Sequence, residues 1–404
     1  MKVVNPGGYG DVKELDIELD GNDIVQSVIT ANIYMDVFST NWTAVLEIDD
    51  TRNLLDTLPI KHGSTVTIFV ETKNDSETDG TKNYTFRVAG IIEKSMQNQY
   101  EMTYKIICVD EDMIINSMTR VSKSYEGKIS EIAQKVIEEE LGASVEVQPA
   151  SDNWLHCIAP NSSPFNFANW VIKMGEPSGM KGLDYILYQS DRGEYKIHSF
   201  EWMYESNDSG ITFKQLPSDQ MEHGSPIDDY ALCFSHFETT HYDNTKLQHG
   251  GYYKSKTVTY DVIKKKWEEE EYTNDIIENK DWDSIYETAP SQVYFYPKHK
   301  GMSDINDTDV DEPEAWSAKR RCSLQAMDKE KLIIQLPGSA KCWEWIGKNC
   351  EVELPIHEDI TDDKYDQHRA GKYVVTAIAQ FIKKDSFVLN LELMKRELEK
   401  SDED

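Results

Sequence analysis

Two stretches separated by most of the chain carry the same strand pattern, and that repetition limits the possible folds more than any other feature. The run His62-Gly63-Ser64-Thr65-Val66-Thr67-Ile68-Phe69-Val70 matches Ile346-Gly347-Lys348-Asn349-Cys350-Glu351-Val352-Glu353-Leu354 in spacing and character, with little identity. A polar excursion follows each. Next, Tyr84-Thr85-Phe86-Arg87-Val88-Ala89-Gly90-Ile91-Ile92 matches Tyr373-Val374-Val375-Thr376-Ala377-Ile378-Ala379-Gln380-Phe381. A polar turn and a last β-like run close each set, residues 102–109 and 387–394. In the second of these, Phe387, Leu389, Leu391 and Leu393 alternate with Val388, Asn390 and Glu392. Period-two alternation between turn residues is the signature of a half-buried strand. Several such strands with short connections predict a small antiparallel sheet or barrel. Two pairs of hairpins can look alike by accident; the alternative is one β-domain duplicated at the two ends of the chain.

Between the copies the period changes. Ile129, Ile132, Ala133, Val136, Ile137 and Leu141 fall on one helical face, and Gly142 offers a C-terminal cap. Ser163-Pro164 predicts the start of a second helix, with Ser as N-cap and Pro in the first turn. Two strands follow around Ser190-Asp191-Arg192-Gly193. The expected class is α+β, mainly β: two similar antiparallel β-barrel domains flank an α+β middle domain, with an insertion in the second barrel. The boundaries read as 1–118 for the first barrel and 119–224 for the middle domain. The second barrel takes 225–262 and 322–397, the insertion 263–321, and a polar tail 398–404. Within the insertion, Lys264-Lys265-Lys266-Trp267-Glu268-Glu269-Glu270-Glu271-Tyr272 reads as a solvated charged segment, and residues 274–311 as acidic and irregular. Residues 71–83 read as a polar loop at a hairpin tip.

The charge excludes a large class of functions. With 73 acidic and 42 basic residues, the net charge is −31, the opposite of what a nucleic-acid backbone attracts. No apolar run reaches the roughly 18–20 residues that span a bilayer, and the first 30 residues lack a basic start and apolar core, so neither membrane insertion nor a signal peptide is expected. The six cysteines, Cys108, Cys157, Cys233, Cys322, Cys342 and Cys350, form no Cys-x-x-Cys pair. They read as small buried hydrophobes rather than zinc ligands or disulfides.

Catalytic signatures are missing too. No phosphate loop, His-Glu-x-x-His or Gly-x-Ser-x-Gly occurs. His236 and His241 flank Glu238, with no third ligand at a recognisable spacing. Asp49-Asp50 and Glu358-Asp359 are carboxylate pairs of a kind that so acidic a chain produces by chance. The segment Asp304-Ile305-Asn306-Asp307-Thr308-Asp309 lacks the glycine and terminal glutamate of a calcium loop. The expectation is a protein without catalytic, cofactor-binding or metal-binding residues.

Several stretches together resemble the central baseplate hub of contractile-tailed, T-even-like phages. They are Ser163-Pro164-Phe165-Asn166-Phe167-Ala168-Asn169-Trp170, Asp184-Tyr185-Ile186-Leu187-Tyr188, and Gly251-Tyr252-Tyr253-Lys254-Ser255-Lys256 before Tyr260-Asp261 and Lys264-Lys265-Lys266. Gly371-Lys372-Tyr373-Val374-Val375-Thr376-Ala377-Ile378 before the final strand completes the set. The resemblance spans most of residues 15–397, and residues 274–311 find no match in it. It implies two tube-type barrels per chain and a homotrimeric ring that adapts a sixfold tail tube to a threefold central spike. It further implies contacts with tube or tube-initiator proteins and baseplate wedge proteins, assembly in the host cytoplasm, and a channel through which viral DNA passes without specific binding. A hub of a related contractile injection system is the nearest alternative. A tail-associated cell-wall hydrolase is the enzymatic one, and no helical catalytic domain with a defined Glu is visible for it.

Overall fold

A computed structural model describes residues 3–4, 12–58, 60–72, 80–98, 101–215, 233, 235–241, 251–252, 254–262, 265–273, 290, 292–298, 313–327, 330–354 and 369–395. The first unit contains six strands: β1 (Val12–Leu19), β2 (Val28–Asp36), β3 (Thr43–Asp50), β4 (Thr65–Thr72), β5 (Gly80–Asn98) and β6 (Glu101–Val109). They hydrogen-bond in the order β1-β4-β5-β6-β3-β2, all antiparallel. The alternation seen in sequence is realised: Ala44, Leu46 and Ile48 of β3 and Val66, Ile68 and Val70 of β4 are fully buried, and the residues between them are half-buried on the other face. A short helical turn at Leu54–Thr57 connects β3 to β4. Asp50 organises it, because its carboxylate accepts from the backbone N–H groups of Arg52 and Leu54.

The middle unit comprises α1 (Glu111–Met118), β7 (Ser124–Lys128), α2 (Ile129–Leu141), β8 (Ser144–Gln148), β9 (Trp154–Ile158), α3 (Pro164–Ile172), β10 (Tyr185–Asp191), β11 (Glu194–Ser199) and α4 (Phe200–Ser206). The helical face read from the sequence is divided between two small cores. Ile129, Ile132 and Val136 pack with Phe167 and Val171 against Tyr125, Leu155 and Cys157 of the β7·β9 ribbon. Ala133 and Ile137 pack with Phe165, Ala168 and Ile172 against the sheet β8-β11-β10. Gly142 ends α2 in the left-handed region, as its position predicted. The N-terminus of α3 differs from expectation. Ser163 makes no side-chain capping bond, and Asn116 of α1 supplies one instead, its Oδ1 accepting from Phe165 N–H at 2.9 Å.

The rest of the chain adds β12 (Asp208–Lys214), β13 (Ser235–His241), β14 (Lys254–Asp261), β15 (Lys266–Thr273), β16 (Gln292–Lys298), α5 (Pro313–Met327), β17 (Glu330–Pro337), β18 (Asn349–Glu353), β19 (Gly371–Ile382) and β20 (Phe387–Lys395). Six of these form the second β-unit, in the order β12-β18-β19-β20-β17-β13. Numbered by position within each unit, both orders are first-fourth-fifth-sixth-third-second. One pairing differs in sense: β12 runs parallel to β18, whereas β1 runs antiparallel to β4. The expectation of wholly antiparallel barrels is corrected at that strand. The chain arrives at β12 directly from α4, and Asn207 fixes the entry by donating from Nδ2 to Gly347 O and accepting from Asn349 N–H, both at 2.8 Å.

Three assignments of sequence to region also change. β12, placed in the middle domain by the reading 119–224, hydrogen-bonds into the second β-unit. β14, placed in the second barrel by the reading 225–262, pairs instead with β15 and β16 in a separate three-stranded sheet. Helix α5 straddles the 321/322 boundary. It packs on β14 and reaches the middle unit, where Arg320 donates to Leu183 O and Tyr185 O and Ser323 Oγ accepts from Leu183 N–H. The charged run around Trp267 forms an exposed strand, joined across the ladder by Lys254–Glu271 and Lys256–Glu269 ion pairs. Residues 73–79, much of 274–311, Glu358-Asp359 and the tail 398–404 lie outside the described residues.

Candidate assembly interface

The two β-units correspond residue by residue. Thr65 pairs with Arg87 and Asn349 with Val374, so Gly63 corresponds to Gly347 and Arg87 to Val374. Gly63 N–H donates to Val88 O and Gly347 N–H to Val375 O, at 2.8 and 2.9 Å. The return bonds are also repeated: Val88 N–H to Ser64 O and Val375 N–H to Lys348 O, both at 2.9 Å. A one-residue bulge then follows in each strand, between Val88 and Gly90 and between Val375 and Ala377. Unrelated sheets do not share a strand order, a positive-φ glycine, two backbone bonds and a bulge at matched positions.

The units meet by continuing one sheet. β2, the last strand of the first unit, pairs antiparallel with the C-terminal half of β19, in register from Ala377 opposite Asp36 to Ile382 opposite Ala31. The two sets of six, with the two-residue strands Val3–Val4 and Asn22–Asp23, make a continuous sheet of fourteen strands. Their apolar faces share one core cluster. Across it, Gln380 Nε2 donates to the hydroxyl of Tyr84 at 3.0 Å, linking β19 to β5.

The middle unit is bonded to both β-units. Trp42 donates from its backbone N–H to Gln189 Oε1 and from Nε1 to Gln189 O, at 2.8 and 3.1 Å. Gln189 Nε2 donates to Asp110 Oδ2, so both polar atoms of this buried amide are bonded. Lys82 of β5 contacts Asp191 of β10 at 2.7 Å and lies 3.5 Å over the ring of Trp343, beside the second unit. Gly347 packs directly under Tyr188 of β10: a Cβ there would stand 2.2 Å from the tyrosine oxygen.

No chemical centre competes with this architecture among the described residues. No group of three or more His, Cys, Asp or Glu side chains converges. His236 hydrogen-bonds Gln215, and the Asp49-Asp50 pair is divided, Asp50 being buried as a helix-turn organiser. Asp304–309 and Glu358-Asp359 lie outside the described residues. All six cysteines are buried free thiols, and burial pushes those of Cys108 and Cys233 up to about 12, the direction that makes a thiol inert. No described helix is long and apolar enough to cross a membrane.

No family model and no curated protein matches the chain. Solved structures do. The 43 kDa tail protein of prophage MuSo2 from Shewanella oneidensis superposes with a TM-score of 0.55 at 10% identity, over 94% of this chain and 99% of that one. The tail protein from Neisseria meningitidis MC58 gives 0.53 at 10% identity, over 96% and 98%. At such identity the likeness is one of fold, and it covers nearly the whole length of each protein. The chain thus shares the fold of these two tail proteins, with two β-units and an α+β unit.

Proposed function

We propose that the chain is a structural hub of a phage tail baseplate, working as a homotrimer and without enzymatic activity. The observation that carries this reading is the repeated six-strand order, joined within one chain by a continuous sheet. Three such chains supply six quasi-equivalent β-units, which is what a sixfold tail tube needs on one side, while the threefold symmetry of the chains matches a spike on the other. The acidic balance fits a conduit: three copies carry 3 × −31 = −93 charges, a field that lets DNA pass without adhering. Tube or tube-initiator proteins, the spike and wedge proteins are the expected partners, and the virion tail the expected location. The likeness to two tail proteins over nearly their whole lengths supports the same reading. Native mass spectrometry of the purified chain, with and without a spike protein, tests it. A trimer is expected; a monomer or twofold dimer that persists at micromolar concentration in both conditions overturns the reading.

A further inference from the structure

The correspondence between the units predicts a second junction that the described strands of the single chain do not fill. Inside the chain, the last strand of unit one (β2) docks on the C-terminal half of the fifth strand of unit two (β19). The counterparts of these two edges are β13 and the C-terminal half of β5. Among the described strands, β13 has β17 as its only neighbour, and β5 beyond Val88 pairs with β6 alone. The consequence is visible in burial. Ile378 and Ile382 of β19 are each 1% exposed, whereas their counterparts on β5, Ile91 and Met96, are 36% and 69% exposed. An open strand edge carrying apolar side chains is a template for another chain.

We infer that β13 of one chain pairs antiparallel with residues 91–96 of β5 in the next copy, repeating between chains the β2·β19 junction within it. The occupant is a second copy because the edge it would supply is the counterpart of one already docked in the same way. Transferring the internal register gives the contacts. Ala379 opposite Tyr34 becomes Ile92 opposite Thr240. Phe381 opposite Asn32 becomes Ser95 opposite Phe237, and Ile382 opposite Ala31 becomes Met96 opposite His236.

The two open edges also depart from their counterparts together. β5 inserts one extra residue between Ile92 and Ser95, and β13 inserts one between Glu238 and Thr240. In the transferred register these insertions fall opposite each other. Each strand then has two residues between the flanking pairs where the internal junction has one, so the ladder stays in step. Position 94 then falls opposite position 238 in the backbone register. Matched insertions are expected if the edges pair, and have no reason to coincide if they do not.

The contact is heterologous, so it propagates until it closes. Closure at three chains rests on the hub reading above, whereas the pairing of edges rests on the register alone. The full-length double variant Ser95→Cys/Phe237→Cys tests the pairing, since both positions are on the surface and 237 is 65% exposed. Oxidation should give a covalent ladder ending at a closed trimer, and each single variant should give none. A charge on the open edge, Ile91→Asp, should raise the dissociation constant about tenfold. A trimer that forms without crosslinking, and ignores this charge, overturns the edge pairing and leaves the hub reading standing. A chain that remains monomeric overturns both.

Discussion

Two glycines occupy corresponding places in the repeat but answer to different constraints. Gly63 and Gly347 both lie in the left-handed region, at φ of 89° and 71°. A Cβ on Gly63 meets nothing within 4 Å, while one on Gly347 collides with the Tyr188 hydroxyl oxygen at 2.2 Å. Tyr188 cannot swing aside easily, being fully buried and hydrogen-bonded to His198 Nδ1 at 3.1 Å. Gly63→Ala should cost about 1 kcal/mol, the ordinary penalty of a left-handed alanine. Gly347→Ala should cost about 3 kcal/mol or more, since overpacking adds to that penalty. Urea unfolding of the two variants measures the difference; equal midpoints would mean that Tyr188 does not wedge the middle unit onto the second β-unit. The sequence match placed both glycines at corresponding positions, but the neighbour that separates them is 159 positions away from one and invisible to any local pattern.

At the level of elements, the alternating runs were legible because period two reports which face is buried, and that face is set by the strand itself. Register and direction were not. The sequence match aligned Tyr84 with Tyr373, whereas the pairings make Phe86 the counterpart of Tyr373. A slip of two residues preserves every in-and-out choice, so only the partner strand can detect it. The parallel sense of β12 is hidden for the same reason, as is the departure of β14 to another sheet. β15 escaped notice because it buries no side chain and is held by backbone pairing and cross-strand ion pairs. The cap of α3 shows a related limit. Ser163-Pro164 marked the helix start correctly, but the bond comes from Asn116. Asn116→Ala should therefore lower stability by about 1 kcal/mol, as loss of a cap does, and Ser163→Ala by less. Thermal unfolding of the two variants decides between a local and a tertiary cap; the reverse ranking would return the role to Ser163.

For the whole molecule, the site could not be read as a motif because an assembly edge is defined by what a strand lacks. The repeat was visible, and the unequal burial of its two copies was not. Charge then sets how the assembly should respond to its medium. Each copy brings a net charge of −31, so forming a trimer gathers −93 in one particle. The proposed edge contact is mainly backbone pairing with apolar neighbours. Repulsion between whole chains acts over long distances and is screened by salt, because the Debye length falls from about 30 Å at 0.01 M salt to about 8 Å at 0.15 M. Raising ionic strength over that range should lower the dissociation constant of the trimer. An interface held together by ion pairs would respond in the opposite direction. Analytical ultracentrifugation across a salt series measures the sign directly. Dissociation on adding salt would show that charge attraction between chains, rather than strand pairing, holds the ring.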